Sequence, residues 1–191
     1  MKSIYLAGPD VFLPDGDKVL QRKADLTRDA GFLPVYAGVF EYPTLPGRYQ
    51  TGLAISAVNE LLLKGSDMLI ANLTPFRGIF ADTGTVFELG FMSALGRPVF
   101  AYTNDCRTHL DRVNTHYGQS AASDPHGTLR GPDETMVEDH DMIDNLMIDG
   151  AIHHRRGSMT IGKYGSDAFN NDLTSFKECL GGLMDWLENN N

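Results

Sequence analysis

The 191-residue sequence contains only two cysteines, Cys106 and Cys179, and they do not form a CxxC pair. A disulfide framework is therefore not expected. No apolar run is long enough to span a bilayer, and the N-terminus reads directly into a strand without a basic and apolar signal sequence. These absences lead us to expect a cytoplasmic protein that has no contact with a membrane.

The sequence also lacks a Walker loop and a G-x-G-x-x-G motif, so neither ATP nor a dinucleotide is expected as a cofactor. His109, His116 and His126 do not have the spacing of metal ligands, and we expect them to be solvated rather than to bind metal. Acidic residues outnumber basic ones, 25 to 16, which gives a net charge of −9. Because the phosphate backbone would be repelled, a nucleic-acid partner is not expected.

Patterns typical of buried strands and of helices alternate along the chain, which favours one α/β domain spanning residues 1–191. The predicted strands lie at Ser3–Ala7, Phe32–Tyr36, Met68–Leu73, Pro98–Thr103 and within Ala151–Ile161. The predicted helices lie at Asp17–Ala30, Tyr49–Lys64, Val86 to near Gly96, Val137–Gly150 and Asp167–Glu188. The polar segment 105–137 is predicted to be a loop insertion or a lid, and the Pro- and Gly-rich loop Ala37–Gly47 is expected to border a site.

Glu88 is the only acidic residue between Thr83 and Thr103, and its helix otherwise looks buried. A carboxylate in such a place must be paired, hydrogen-bonded or functional, because burying it alone is costly. Ligands of an open α/β sheet lie outside the carboxyl ends of the strands, where the first turns of this helix point. Glu88 is thus a candidate nucleophile. The alternatives are an ion pair with Arg77 or a cap on its own helix, although Thr83 or Thr85 is the expected cap residue.

Three segments share motifs with a known family: IYLAGPDVF (Ile4–Phe12), DMLIANLTPFRG (Asp67–Gly78) and DTGTVFELGFMSALGRPVFAYT (Asp82–Thr103). Together they resemble the nucleoside 2-deoxyribosyltransferases. The resemblance resumes at DNLMIDGAI (Asp144–Ile152), after a segment that is less alike. An I-Y-x-A-G-P start combined with D-x-G-T-x-F-E-L-G is more specific than either motif alone.

The resemblance implies roles for four residues. Glu88 would be the covalent nucleophile, and Tyr5 would orient it. Asp82 would bind the sugar 5′-hydroxyl, and Asn145, contributed by a neighbouring subunit, would complete that site. The resemblance therefore implies a homo-oligomer, at least a dimer. Without it, Asn145 would be interpreted as a surface residue.

Four further residues are candidates for substrate binding. Gly8 turns the chain after the first strand, into a loop where Asp10, Val11 and Phe12 could face a ligand. Phe12 is a candidate to stack on a nucleobase, and the alternative is an ordinary loop anchor. Met147 lies on the apolar face of the helix that carries Asn145.

Asn59 is the fourth candidate for substrate binding, and it departs from the family pattern. Some members have an aspartate here that acts on the nucleobase. An asparagine can form hydrogen bonds with the edge of a base but cannot serve as a general acid. The alternative interpretation is a solvent-facing side chain on the helix Tyr49–Lys64.

The alternation predicts a flavodoxin-like three-layer sandwich whose five parallel strands have the order 2-1-3-4-5. That order places the ends of the first and third strands side by side, which would bring Tyr5, Asp82 and Glu88 together. The expected reaction is transfer of 2-deoxyribose between purine and/or pyrimidine bases by a retaining double displacement, without metal or cofactor. Deoxynucleosides and free nucleobases are the expected partners.

Two alternatives are open. One is a deoxynucleoside 5′-monophosphate N-glycosidase, although Asp82 would repel a 5′-phosphate and the GPDVF loop lacks the Arg and Ser that a phosphate would need. The other is a non-catalytic nucleoside-binding module on the same scaffold.

Overall fold

A computed structural model of the protein describes residues 1–38, 42–164 and 172–190. Its centre is a five-stranded sheet in which every neighbouring pair is parallel. The strands are β1 (Ser3–Ala7), β2 (Leu33–Val35), β3 (Met68–Asn72), β4 (Val99–Asp105) and β7 (Met159–Tyr164), in the order β2-β1-β3-β4-β7. Counted within the sheet, this is the order 2-1-3-4-5 of a flavodoxin-like fold, and the predicted fold class is confirmed.

Helices cover both faces of the sheet, and among the described residues none is long and apolar enough to cross a membrane. They are α1 (Gly16–Asp29), α2 (Arg48–Gly65), α3 (Thr83–Ala94), α4 (His109–Tyr117), α5 (Leu146–His154) and α6 (Thr174–Asn190). Alternate residues of each strand point to opposite faces. Ile4 and Leu6 therefore pack with α1 and α6, whereas Tyr5 and Ala7 pack with α2, α3 and α5.

The boundaries of the last elements differ from the prediction. The last strand of the sheet is Met159–Tyr164, and Ala151 lies in helix α5. Helix α5 begins only at Leu146, because Asn145 caps it by accepting a hydrogen bond from the backbone N–H of Met147. Ile148 and Ile152, one helical turn apart, pack beneath the sheet. The predicted start of the last helix falls within residues 165–171, outside the described residues.

The segment 105–137, predicted as loop, contains regular structure. Thr108 and Asp111 form a capping box at the start of α4, in which each side chain binds the backbone of the other residue. A two-stranded hairpin follows, formed by β5 (Ala122–Ser123) and β6 (Leu129–Arg130). The segment is tied to the main body by the buried Arg112, whose guanidinium pairs with Asp144 at 3.0 Å.

Candidate active site

Strand β1 and helix α3 bring a tyrosine and a glutamate together. Tyr5 is fully buried in β1, on the sheet face that α3 covers, and Glu88 lies in the second turn of α3. The Tyr5 hydroxyl donates a 2.7 Å hydrogen bond to Oε1 of Glu88. The other carboxylate oxygen, Oε2, has no hydrogen-bond partner among the residues that the structure describes. One oxygen of Glu88 is thus held while the other is free to react.

Burial raises the pKa of Glu88 from 4.5 to about 7, against the opposing effect of the Tyr5 hydrogen bond, and the nearby charge of Asp82 raises it further. Burial and then Glu88 raise the pKa of Tyr5 well above its ordinary value, so its hydroxyl remains a donor. The alternative of an ion pair with Arg77 is wrong, because that guanidinium lies over the rings of Phe12 and Phe76, 5.4 and 4.8 Å from their centroids. Glu88 has the elevated pKa and free oxygen that are typical of a functional carboxyl.

Asp82 is the N-cap of α3, in place of the predicted Thr83 or Thr85. Its Oδ2 accepts hydrogen bonds from the backbone N–H of Thr85, at 2.9 Å, and from the Thr85 hydroxyl, at 3.1 Å. Its Oδ1 has no such partner in the described part of the chain. This cap also excludes the interpretation of Glu88 as the cap of the same helix. Asp82 therefore fixes the start of the helix with one oxygen, while a ligand contact through the other stays a prediction.

Two adjoining cavities lie along this edge of the protein. The first, about 270 Å³, is lined by residues of α2 and α3 that include Asn59, Gly84 and Glu88. The second, about 470 Å³, is lined by Phe12, Tyr42 and Asn59, among others. Ile55 and Asn59 line both cavities. The predicted residues Asn59, Glu88 and Phe12 therefore line two neighbouring cavities, and Asn59 is common to both.

The loop after β1 divides its residues between the core and this space. Asp10 does not face a ligand, because it is buried and ion-paired with Lys23 at 2.6 Å. Phe12 is 56 % exposed and stacks on Phe76 with ring centroids 5.5 Å apart. Stacking of Phe12 on a nucleobase stays a prediction, and the alternative of an ordinary loop anchor stays open. A Cβ at Gly8 would lie 2.5 Å from Asp10 Oδ2. Gly8 thus allows close packing over the buried Asp10, and substrate binding by Gly8 stays a prediction.

A family model described as nucleoside 2-deoxyribosyltransferase matches residues 4–147, which is most of the chain. The chain belongs to this family. As a nucleoside 2-deoxyribosyltransferase family member, it is related to enzymes that act on nucleosides.

Individual relatives extend the match over nearly the whole chain. A solved structure described as a 2-desoxiribosyltransferase from Leishmania mexicana is 27% identical, with a TM-score of 0.62 over 95% of this chain and 98% of that one. An uncharacterized protein of Schizosaccharomyces pombe is 30% identical over an alignment of 172 residues, and the match covers 83% of this chain and 80% of the relative. A conserved protein from Enterococcus faecalis shares the fold, with a TM-score of 0.51 at 17% identity over 95% of this chain and 98% of that one.

In this family member, Asn145 and Met147 lie apart from the cavity that contains Glu88, and neither lines it. The Asn145 side chain accepts a hydrogen bond from the Met147 backbone at 3.0 Å and donates one to Glu138 at 3.3 Å. The Met147 side chain is 71 % exposed. Both residues are thus placed at the surface, where a second molecule could reach them.

Sequence reasoning missed Asp144, which connects two parts of the candidate site. Its Oδ2 accepts hydrogen bonds from Arg112, at 3.0 Å, and from the backbone N–H of Ala81, at 3.3 Å. Its Oδ1 accepts from the backbone N–H of Asn145 at 2.8 Å. One buried carboxylate thereby holds the backbone of Ala81, the neighbour of Asp82, and the backbone of Asn145. Its position beside Asn145 in the matching motif was the available signal.

Tyr42 was also missed. It follows residues 39–41, which lie outside the described residues, and its hydroxyl hydrogen-bonds Asn59. Its position in the loop Ala37–Gly47, which was expected to border a site, was the only signal.

The predicted solvated histidines lie in the 105–137 segment. One of them, His109, packs its ring against Phe80 at 5.3 Å. Within the described ranges, no group of three or more His, Cys, Asp or Glu residues is arranged to hold a metal ion.

Proposed function

We propose that this protein transfers 2-deoxyribose from one nucleobase to another by a retaining double displacement through Glu88. One observation carries the proposal. Glu88 borders a cavity with one oxygen held by Tyr5 at 2.7 Å and the other free of hydrogen bonds to the described residues. Membership in the nucleoside 2-deoxyribosyltransferase family supports the choice of sugar and of reaction.

In the first half-reaction, the free Oε2 of ionised Glu88 forms a bond to C1′ while the bond between C1′ and the base nitrogen breaks. The base leaves with the electron pair and takes up a proton. The transition state resembles an oxocarbenium ion, which the carboxylate also stabilises electrostatically. Tyr5 holds Oε1 throughout, so that Glu88 does not rotate away from the sugar.

In the second half-reaction, a nitrogen of another base attacks C1′ from the face that the first base left. The bond between C1′ and Glu88 breaks, the carboxylate recovers its electron pair, and the incoming base loses a proton. Two inversions give net retention of configuration. A 2′-hydroxyl would withdraw electron density from the cationic transition state, and we therefore expect 2′-deoxy sugars to be preferred.

The 5′-hydroxyl of the sugar is assigned to Asp82 and to Asn145 of a neighbouring copy. Neither Asp82 nor Asn145 lines the Glu88 cavity in its own chain. Asp82 is close enough for its charge to raise the pKa of Glu88, and its Oδ1 is free of hydrogen bonds to the described residues. A second subunit would supply the missing contact.

Exposed apolar side chains on α2, α3 and α5 support this assembly. Of the eighteen residues of α2, only Leu63 is buried. Leu61 is 66 % exposed on that helix, Phe87 is 57 % exposed on α3 and Met147 is 71 % exposed on α5. Large exposed apolar side chains are typical of interaction surfaces when they lie together, and an assembly through these helices would bury them. A second copy of the chain would bury these side chains and place its Asn145 near the cavity.

The test is an exchange assay with a deoxynucleoside and a different free base, separated by chromatography. New deoxynucleoside, together with a mass-spectrometric adduct of one deoxyribose on the peptide that contains Glu88, is the expected result. Glu88→Gln keeps the shape of the side chain and should abolish both signals. Glu178→Gln, an exposed position on α6 across the sheet, is the charge-matched control and should retain them.

Two other outcomes would each support one of the alternative functions. Release of base and free sugar without exchange, faster from the 5′-monophosphate than from the nucleoside, would indicate an N-glycosidase. Binding of nucleosides without release of base would indicate a binding module.

A further inference from the structure

The carboxamide of Asn59 is held in one orientation by Tyr42. The Tyr42 hydroxyl accepts a hydrogen bond from the backbone N–H of Gly38 at 3.0 Å and donates its own proton to Oδ1 of Asn59 at 2.7 Å. A hydroxyl has a single proton to donate. The Tyr42 hydroxyl therefore donates its proton to the amide oxygen of Asn59. The NH2 group of Asn59 points away from Tyr42 and is not used in this contact.

The position of Asn59 shows what its NH2 group can reach. Asn59 borders both the cavity that contains Glu88 and the cavity that contains Phe12. Its Nδ2 forms no hydrogen bond with any residue in the described ranges. A nucleoside with its sugar at Glu88 and its base toward Phe12 would pass beside this group.

Tyr42 belongs electrostatically to the same site. Burial and Glu88 are the main causes that raise the pKa of Tyr5, and Tyr42 adds to the increase. The Tyr42 hydroxyl is therefore close enough to influence the residue that holds Glu88.

We propose that Tyr42 is a positioning residue that presents the Asn59 NH2 group as a hydrogen-bond donor to an unprotonated acceptor on the nucleobase. The proposal rests on the proposed function and names the substrate class more closely. The accepted deoxynucleosides carry a ring nitrogen or carbonyl acceptor on the edge of the base that faces α2.

This arrangement has a consequence for the departure of the base. Asn59 stabilises the departing base by donating a hydrogen bond to it and does not protonate it. A carboxamide donates a hydrogen bond but does not transfer its proton at ordinary pH. The base leaves with the electron pair of the C1′–N bond, Asn59 stabilises the charge that develops on it, and solvent supplies the proton afterwards.

The experiment compares a natural 2′-deoxynucleoside with analogues that each lack one acceptor of the base, either a ring nitrogen replaced by C–H or a carbonyl oxygen replaced by hydrogen. Dissociation constants are measured by calorimetry in the Glu88→Gln protein, so that no turnover is needed. Tyr42→Phe is then added to this background. We expect Tyr42→Phe to weaken binding of the natural deoxynucleoside about five- to tenfold, a typical effect of one hydrogen bond. The affinity for one of the analogues, the one that lacks the acceptor for Asn59, should be nearly unchanged.

The ratio of parent to analogue affinity is the decisive readout, since a merely structural role of Tyr42 would weaken both ligands equally. Asn59→Ala should remove the same preference, and Tyr42→Phe added to Asn59→Ala should cause no further loss. Tyr117→Phe is the matched control, because that exposed tyrosine also donates its hydroxyl proton to a side-chain oxygen, Oδ2 of Asp133 at 2.8 Å.

The outcomes separate this inference from the proposed function. Nucleoside binding with an unchanged preference in Tyr42→Phe would overturn the role of Tyr42, while base exchange by the unmodified protein would leave the transferase assignment standing. Absence of nucleoside binding would overturn both.

Discussion

The Tyr5 hydroxyl and Oε1 of Glu88 are joined by a hydrogen bond of 2.7 Å between residues 83 positions apart in the sequence. Tyr5 is entirely buried, so its hydroxyl has little freedom to move. This contact holds a partly buried carboxylate at the edge of a cavity. It also lowers the pKa of Glu88, whereas burial and Asp82 raise it, and the balance is a pKa of about 7.

This balance predicts the pH dependence of activity. Glu88 must be ionised to attack, so kcat/KM should rise with pH, be half-maximal at about pH 7 and level off about one pH unit higher. Tyr5→Phe removes the hydrogen bond that lowers the Glu88 pKa. The rise should therefore move to higher pH, and the plateau should fall about tenfold or more. Tyr117→Phe serves as the control, and a rise that stays in place in Tyr5→Phe would contradict the coupling.

The same pKa predicts how Glu88 affects stability. Its folded-state pKa of about 7 lies above the ordinary value of 4.5, so its contribution to stability is fully present below pH 4.5 and is lost as the pH rises through 7. Glu88→Gln does not titrate. It should therefore gain free energy of unfolding relative to the unmodified protein between pH 5 and pH 8, by at most about 3 kcal/mol. Urea unfolding at both pH values measures the difference, and an equal effect at both would contradict the assignment.

Asp82 combines a cap with a proposed ligand contact, and a suitable substitution separates them. Serine caps helices as well as aspartate does but presents no second carboxylate oxygen. Asp82→Ser should therefore keep the melting temperature while raising KM about ten- to a hundredfold, the loss expected for a hydrogen bond to a charged group. Well above pH 7, where Glu88 is ionised with or without the charge of Asp82, a 5′-deoxy substrate should be unaffected by the substitution. An equal loss for both substrates would exclude contact with the 5′-hydroxyl.

The order of the sheet could be predicted from the sequence, because short apolar runs alternate with helices. The contact between Tyr5 and Glu88 depended on family resemblance, since spacing along a chain does not show which side chains meet. The cap of α3 was misplaced because Asp82, Thr83 and Thr85 are all good cap formers. Only the register of the helix distinguishes them.

Residues whose role depends on tertiary contacts were the ones missed. Tyr42 lies in a loop without periodicity, so no pattern connects it with Asn59 on helix α2. Asp10 was expected near a ligand, and nothing local shows that Lys23, on a charged helix, reaches through the core to neutralise it. The same limit applies to Asp144, whose partners Ala81 and Arg112 are distant in sequence.

The buried pair of Lys23 and Asp10 gives a stability prediction. Both side chains are 2% exposed, and Asp10 also accepts a hydrogen bond from Asn72 at 3.4 Å. Lys23→Met leaves Asp10 buried without a counter-charge, which should cost about 3–5 kcal/mol of unfolding free energy.

Urea unfolding measures this loss, and a substitution in an exposed ion pair is the control. Arg28→Met, which breaks an exposed pair with Asp25, should change stability by only about 0.5 kcal/mol. Similar losses in the two variants would show that the buried pair has no special role.

The contribution of Asn145 to a neighbouring site can be tested with two defective proteins. In a dimer that mixes Glu88→Gln with Asn145→Ala subunits, one site combines an intact Glu88 with an intact Asn145 from the partner. Random pairing makes half of the dimers mixed, so about a quarter of the wild-type activity should return at low substrate concentration. Glu88→Gln mixed with Asp82→Ser is the matched control, because both residues belong to the same chain's site and mixing restores none. If the Asn145→Ala mixture is no more active than the mean of its two parents, Asn145 does not serve the partner's site, and the apolar surface of α2 and α3 needs another explanation.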